Sequence, residues 1–185
     1  MQKWILFFIF LSSFYRDILA QNVTSSPSFP EAWLGVWEGE LDIYNGQKVV
    51  QKVKIKMENL ATDTADIYSW ILIYGEDEVA GKRDYLLRAV NKEKGHWEVD
   101  EKNAIFLDGY VVSNQFISTF LVQNNLITSI ISKEDENTLI FEIIVHNNTP
   151  NRKTGNTKFQ EENIPEVTNY PTIGYQYARL SKKMF

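Results

Sequence analysis

From residue 36 onward, apolar and polar residues alternate in short runs separated by polar turns, and no run has the period of a helix. The first run places Trp37, Leu41 and Ile43 on one face and acidic residues on the other. A period of two is typical of a β-strand with one face in the core. The sequence therefore predicts an all-β fold, a single antiparallel up-and-down β-barrel of about ten strands.

The two ends of this pattern predict how the barrel closes. Segments 36–44 and 172–182 alternate in the same way, and their pairing would remove the exposed edges of an open sheet. Asn45-Gly46 is a signal for a tight hairpin, because both residue types tolerate positive φ. The return strand, 48–58, carries lysines that should face the acidic residues of the first strand.

The N-terminus has the composition of a secretory signal. A lysine precedes the uncharged, mostly apolar stretch 4–14, and the small residue Ala20 stands before the expected cleavage point. This stretch is too short to span a bilayer. We therefore predict a signal peptide over 1–20, a flexible Ser/Pro-rich leader over 21–32 and one barrel domain over 33–185. The mature protein is expected in the periplasm or outside the cell.

Composition excludes several classes of function. The chain has no cysteine, which rules out disulfides, thiol catalysis and cysteine metal sites. Its net charge of −5 argues against nucleic-acid binding, which needs a basic surface. The histidines and the acidic turns lack the clustered spacing of a metal site. We predict no metal, no cofactor, no membrane span and a monomer.

The segment from Trp33 to Gly39, with Gly35-x-Trp37 at its centre, and the last strand with Arg179 resemble the two ends of lipocalin-like (calycin) barrels. This superfamily includes the fatty-acid-binding proteins, and the chain is similar to small secreted lipocalin-like proteins of Gram-negative bacteria. The resemblance implies a barrel with a cavity, closed at one end by Trp37, with the Arg179 guanidinium over its ring. Guanidinium groups stack well on indole.

The Gly-x-Trp-x-Gly run that begins at Gly35 is also similar to the start of nitrobindin-type heme barrels. Those proteins carry a heme-ligating histidine near the end of the chain. Nothing after His146 is histidine here, and the last strand offers Tyr175 and Tyr177 instead. Tyrosine is able to ligate heme iron, but the departure argues against heme, in line with the prediction of no cofactor.

Asp108 and the pair Arg83 and Tyr85 carry the most specific chemistry. Arg83 and Tyr85 resemble, by chemistry only, the Arg-x-Tyr pair that holds a fatty-acid carboxylate in intracellular lipid-binding barrels. Asp108 lies in an apolar strand and fits either face: inside it would be a polar anchor or a general acid–base, outside a solvated carboxylate. The parity of its strand assigns Glu142 to the outer face. The candidate ligand-binding residues are Tyr68, Trp70, Tyr74, Arg83, Tyr85, Arg88, Asp108, Tyr110, Tyr175 and Tyr177.

Three functions are compatible with this sequence. The first is an exported, lipid-binding type of protein that holds an apolar or amphipathic small molecule. The second is an isomerase or hydrolase that uses a cavity carboxylate, and the third is a ligand-free structural or envelope-interaction protein. The volume of an internal pocket would separate the third from the others. The long aperiodic segment 147–171 is expected to be a lid over the barrel mouth or an excursion packed on the barrel wall.

Overall fold

The computed structural model describes residues 28–184. The predicted signal peptide, 1–20, and residues 21–27 of the predicted leader lie outside the described residues. Ten antiparallel strands form a closed up-and-down barrel, which confirms the predicted all-β fold. No helix within the described range is both long and apolar enough to cross a bilayer. The barrel strands are β1 (Gly35–Asn45), β2 (Lys48–Ala61), β3 (Ile67–Tyr74), β4 (Lys82–Asn91), β5 (His96–Asp100), β6 (Phe106–Val112), β7 (Gln115–Val122), β8 (Asn125–Asp135), β9 (Thr138–Asn147) and β14 (Thr172–Lys182). Between β9 and β14 lie the short strands β10 (Arg152–Thr154), β11 (Thr157–Phe159), β12 (Glu162–Ile164) and β13 (Val167–Asn169).

Strands β1 and β14 close the barrel, as the alternation at the two ends of the chain predicted. Their register places Trp37 opposite Lys182. In β1, Trp37 and Leu41 point inward and are buried, whereas Glu38 and Glu40 point outward and are exposed. The same alternation along the other barrel strands fills the interior with aliphatic and aromatic side chains.

Charged side chains cover the outer face of β1 and β2. Lys52 Nζ lies 2.6 Å from Glu40 Oε1 and 2.8 Å from Asp42 Oδ1, so the expected cross-strand pairing is present. The next two lysines of β2 bind instead to an acidic turn that folds back over this face. These pairs are Lys54 with Glu76 and Lys56 with Glu78.

Residues 28–33, which we call the plug, close one end of the barrel. A short 3-10 helix, Glu31–Trp33, turns the chain into β1. Pro30 is fully buried, and the Phe29 ring packs against the buried core. Residues 28–32 therefore belong to the folded domain and not to a flexible leader. The sequence pattern missed them because one aromatic residue followed by proline is too short to show a period.

Residues 148–171, which we call the arm, extend from the opposite end of the barrel. Strand β10 pairs with β13 and β11 with β12, which gives two short ribbons in succession. Most arm side chains are exposed, and its apolar residues Val167 and Tyr170 are 48% and 44% exposed. The arm is thus not packed flat on the barrel wall. Its strands are only three residues long, so the sequence showed no alternation there.

Arg179 does not lie over Trp37, and the predicted stacking is wrong. Lys182 takes that place, with its Nζ atom 5.2 Å from the centroid of the indole ring. Lys182 is the residue opposite Trp37, whereas Arg179, three residues earlier, points to the other side of the sheet. Arg179 forms an ion pair with Glu134 on the outer face. Trp37 itself is fully buried, as predicted.

Candidate functional site

A cavity of about 170 Å³ lies inside the barrel, between the plug and the end that carries the arm. Its deepest residues are apolar: Trp70 and Phe116 are buried, and their rings meet edge to face with centroids 5.5 Å apart. We call these two rings the floor of the cavity. The walls are aliphatic and aromatic, and they include Leu72, Val99, Leu107, Phe120, Ile127, Ile131, Phe141 and Ile143.

Polar side chains stand at the rim of the cavity, where Tyr74, Tyr85 and Glu101 contribute to its lining. Burial raises the pKa of Tyr74 to about 12. Burial also raises the pKa of Tyr85, with the charge of Glu101 adding to the shift and that of Arg83 opposing it. No hydrogen bond from the described residues contributes to either shift. Both phenols are therefore protonated at neutral pH and offer a donor to a ligand.

Gly109 on β6 makes room for the floor. A Cβ atom at this position would lie 2.2 Å from the Phe116 ring, so any side chain here would displace that ring. The next inward residue of β7, Ser118, donates its hydroxyl to the Asp108 carbonyl oxygen at 2.6 Å. The close contact of Gly109 with Phe116 and the hydrogen bond of Ser118 thus hold β7 against β6 beside the cavity.

Of the residues proposed from the sequence, Trp70, Tyr74 and Tyr85 line the cavity. Arg83 is exposed beside the rim, and its guanidinium donates to two backbone carbonyls of its own turn. Tyr68 points inward at the plugged end, where its hydroxyl donates to Glu31 Oε1 at 2.7 Å. Burial, together with this hydrogen bond, raises the pKa of Tyr68 to about 12. Tyr68 therefore holds the plug and does not line the cavity.

Asp108 and Tyr110 lie on the outer face, so neither contributes to the cavity. Asp108 Oδ1 is 2.7 Å from His96 Nε2, and the Tyr110 ring stacks on the imidazole with centroids 4.7 Å apart. The position of Gly109 explains the assignment, because Gly109 points inward against Phe116 and its two neighbours must point outward. The internal acid–base role considered for Asp108 is thereby excluded.

The three remaining candidates also lie on the outer face. Arg88 Nη2 binds Asp100 Oδ2 at 2.6 Å. Tyr175 donates its hydroxyl to Glu142 Oε1 at 2.7 Å, which places Glu142 outside, as its strand parity predicted. Desolvation and the neighbouring carboxylate raise the pKa of Tyr175 well above its usual value. Tyr177 is opposite Glu142 in the register and shares that face.

Sequence reasoning missed the polar residues Glu101, Ser118 and Ser129 of the cavity lining. Glu101 follows β5 directly and reaches the rim of the cavity. The two serines occupy inward positions of their strands, Ser118 between Phe116 and Phe120 on β7 and Ser129 between Ile127 and Ile131 on β8. That alternation is the signal that would have identified them.

A larger groove of about 470 Å³ lies on the outer face, between β1, β2 and the acidic turn after β3. Its lysines are already paired with its glutamates, as in the ion pair between Lys54 and Glu76. The groove therefore has few charges available for a ligand. Within residues 28–184, no group of three or more potential metal ligands is found.

Comparisons with known proteins agree with this architecture. A protein of unknown function from the DUF3598 family of Nostoc punctiforme has a similar structure, with a TM-score of 0.56 and 8% identity over 83% of this chain. The match spans 48% of that protein, about half of its length. An S-type phycobiliprotein lyase from Guillardia theta has a TM-score of 0.53 and 10% identity, over 84% of this chain and 90% of the lyase. No protein-family model and no curated protein matches the sequence. At this level of identity the likeness shows a shared fold.

Proposed function

We propose that this protein is exported and binds a small amphipathic molecule in the barrel cavity. The apolar part of the ligand would rest on Trp70 and Phe116, and its polar group would meet Tyr74 and Tyr85 at the rim. The volume of about 170 Å³ supports a ligand whose enclosed part is the size of one ring. An engineered apolar cavity of roughly 150 Å³ binds benzene.

The observation that carries this proposal is the pairing of an apolar floor with two rim phenols. A small number of oriented polar groups above an apolar surface is the usual composition of a ligand site. The phenols donate hydrogen bonds, so the proposed ligand carries a neutral or anionic acceptor. The exclusion of Asp108 from the interior removes the acid–base residue on which the enzyme alternative rested, and binding alone is proposed.

The name of the Guillardia protein of similar fold suggests a second probe. Its name refers to phycobiliproteins, and a linear tetrapyrrole such as biliverdin has the same mixture of apolar rings and polar groups. The enclosed volume holds one ring and not four. We therefore expect a single-ring phenol to bind more tightly than biliverdin.

Calorimetric titration of the purified protein with 4-ethylphenol tests the proposal. We expect one binding site, and we expect the double variant Tyr74→Phe/Tyr85→Phe to bind about thirtyfold more weakly, because each of the two neutral hydrogen bonds contributes about 1 kcal/mol. Tyr110→Phe, which removes a phenol on the outer face, is the matched control. Absence of binding at millimolar 4-ethylphenol, or equal weakening by the control, would contradict the proposal.

Export is a separate part of the proposal and rests on the N-terminal sequence. Expression of the full chain in a Gram-negative host, followed by fractionation and N-terminal sequencing, tests it. We expect a product that begins at Gln21 in the periplasm or the medium. An intact N-terminus in the cytoplasmic fraction would contradict it. The proposed monomer is tested by light scattering of the same product.

A further inference from the structure

The Phe29 ring of the plug lies directly beneath the floor of the cavity. It stacks on Phe116, with ring centroids 5.1 Å apart and planes inclined by 20°. It meets Trp70 edge to face at 6.1 Å. Both rings that form the floor therefore rest on Phe29, although Phe29 itself does not line the cavity.

Phe29 also lines a groove at the plugged end of the barrel. A groove of about 380 Å³ at the plugged end is lined by Phe29, Trp33, Val111 and residues of the turns near Asn114 and Glu134. Phe29 is half-buried and contributes to the lining of this groove. Phe29 thus lies between the floor of the ligand cavity and the groove at the plugged end.

Several contacts that hold the plug do not involve the Phe29 ring. The Trp33 carbonyl oxygen accepts hydrogen bonds from Trp37 Nε1 at 3.0 Å and from Asn59 Nδ2 at 3.4 Å. Glu31 accepts from the hydroxyl of Tyr68, and Pro30 is fully buried. Truncation of the ring should therefore leave the plug in place and create a void beneath the floor.

We propose that Phe29 sets the depth of the ligand cavity and thereby the largest apolar group that the protein accepts. This inference rests on the proposed ligand-binding function. With Phe29 present, Phe116 is confined between that ring and the backbone of Gly109. Without it, the floor loses its support, and the cavity extends toward the plugged end. Phe29 is a positioning residue that acts through Trp70 and Phe116.

A series of 4-alkylphenols with chains from methyl to octyl tests this inference by calorimetry. In the wild-type protein we expect affinity to rise about fourfold with each added methylene, as burial of a CH₂ group predicts. The increase should stop when the chain reaches the floor. In Phe29→Ala we expect the increase to continue for two or three more methylenes, which is about a fifteenfold to sixtyfold gain for the longer phenols.

Two further variants keep the test decisive. Phe29→Trp should shorten the accepted chain, and Phe29→Leu gives an intermediate void if Phe29→Ala does not fold. Glu31→Gln is the matched control, because it alters the attachment of the plug and leaves the floor unchanged. Near-ultraviolet circular dichroism reports whether each variant retains the packed aromatic cluster.

The results separate this inference from the proposed function. If the wild-type protein binds no member of the series, both fail. If the wild-type protein binds with a clear chain-length limit, and folded Phe29 variants show the same limit, the binding function stands and the role of Phe29 is refuted. A shift of the limit in Glu31→Gln equal to that in Phe29→Ala would assign the effect to loosening of the plug and would also refute it.

Discussion

Lys182 lies over the indole of Trp37, with its Nζ atom 5.2 Å from the ring centroid. The first and last strands of the barrel thus contact each other through a cation and an aromatic face as well as through backbone hydrogen bonds. The residue that the family resemblance implied for this role, Arg179, is on the outside in an ion pair with Glu134. In this protein the cation over Trp37 is instead supplied by Lys182, three positions further along the same strand.

We expect Lys182→Met to lower the free energy of unfolding by about 0.5–2 kcal/mol, because it removes the cation while keeping most of the apolar stem. Arg179→Met is the matched control on the same strand. It breaks an exposed ion pair and should cost less than about 1 kcal/mol. Chemical denaturation of both variants measures the difference, and a larger loss for Arg179→Met would contradict the assignment.

In the ion pair between Arg88 and Asp100, the side chain of Arg88 is 39% exposed to solvent, whereas that of Asp100 is only 8% exposed. We expect Arg88→Met to lower the free energy of unfolding by about 1–3 kcal/mol, since it leaves a buried carboxylate without one of its hydrogen-bond partners. The double variant Arg88→Met/Asp100→Asn should recover part of this loss. Urea denaturation of Arg88→Met, Asp100→Asn and the double variant gives the coupling free energy between the two residues. If the losses in free energy of unfolding are additive, the two residues act independently.

Ionisation of Tyr74 should lower the free energy of unfolding at high pH. Its pKa is raised from the ordinary value near 10 to about 12 in the folded protein. The folded state therefore binds more protons than the unfolded state between these values, and stability is lost as pH rises from 10 to 12. We expect this loss to be about 2 kcal/mol smaller in Tyr74→Phe. Denaturation at several pH values tests this, and below pH 9 the difference between the two proteins should stay constant.

The arm should be dispensable for folding. Its strands pair only within its two ribbons, and at its base the backbone N–H of Asn147 donates to the Pro171 carbonyl at 3.0 Å. Replacement of 152–168 by a two-residue turn should change the melting temperature by only a few degrees, because few apolar groups lose contacts. The lid prediction is tested with the same variant: faster association and release of 4-ethylphenol would support a lid, and unchanged rates would reject it.

Trp70, Tyr74 and Tyr85 were among the ligand-binding residues proposed from the sequence, and these three line the cavity. Alternation in the sequence was sufficient to predict the barrel and the pairing of its first and last strands. It was insufficient for Asp108, because β6 carries apolar residues on both faces: Val111 points inward, while Val112 is exposed. A strand that is apolar on both sides does not reveal which side is the core. The contact between Gly109 and Phe116 decides the face, and it depends on the tertiary structure.

Two other features depended on information that a period does not contain. The choice between Lys182 and Arg179 required the register of β14 against β1, and a shift of one residue exchanges the two faces. The position of Phe29 required knowledge of the path of an aperiodic segment. The residue proposed to limit the size of the ligand, Phe29, therefore lies in a segment that the alternation of apolar and polar residues did not identify.

The closure of the barrel between β1 and β14 also has a consequence for the folding kinetics. The ion pair between Glu38 and Lys183 joins residues 145 positions apart, and nearly the whole chain must leave the ribosome before such contacts form. Contacts of this sequence separation carry a large loop-closure entropy and slow the folding of β proteins. Until closure, β1 and the growing end of the sheet each present an unpaired edge to other chains. Aggregation during synthesis is expected to begin at these edges, and a circular permutant that joins β14 to β1 by a short turn should fold faster and aggregate less.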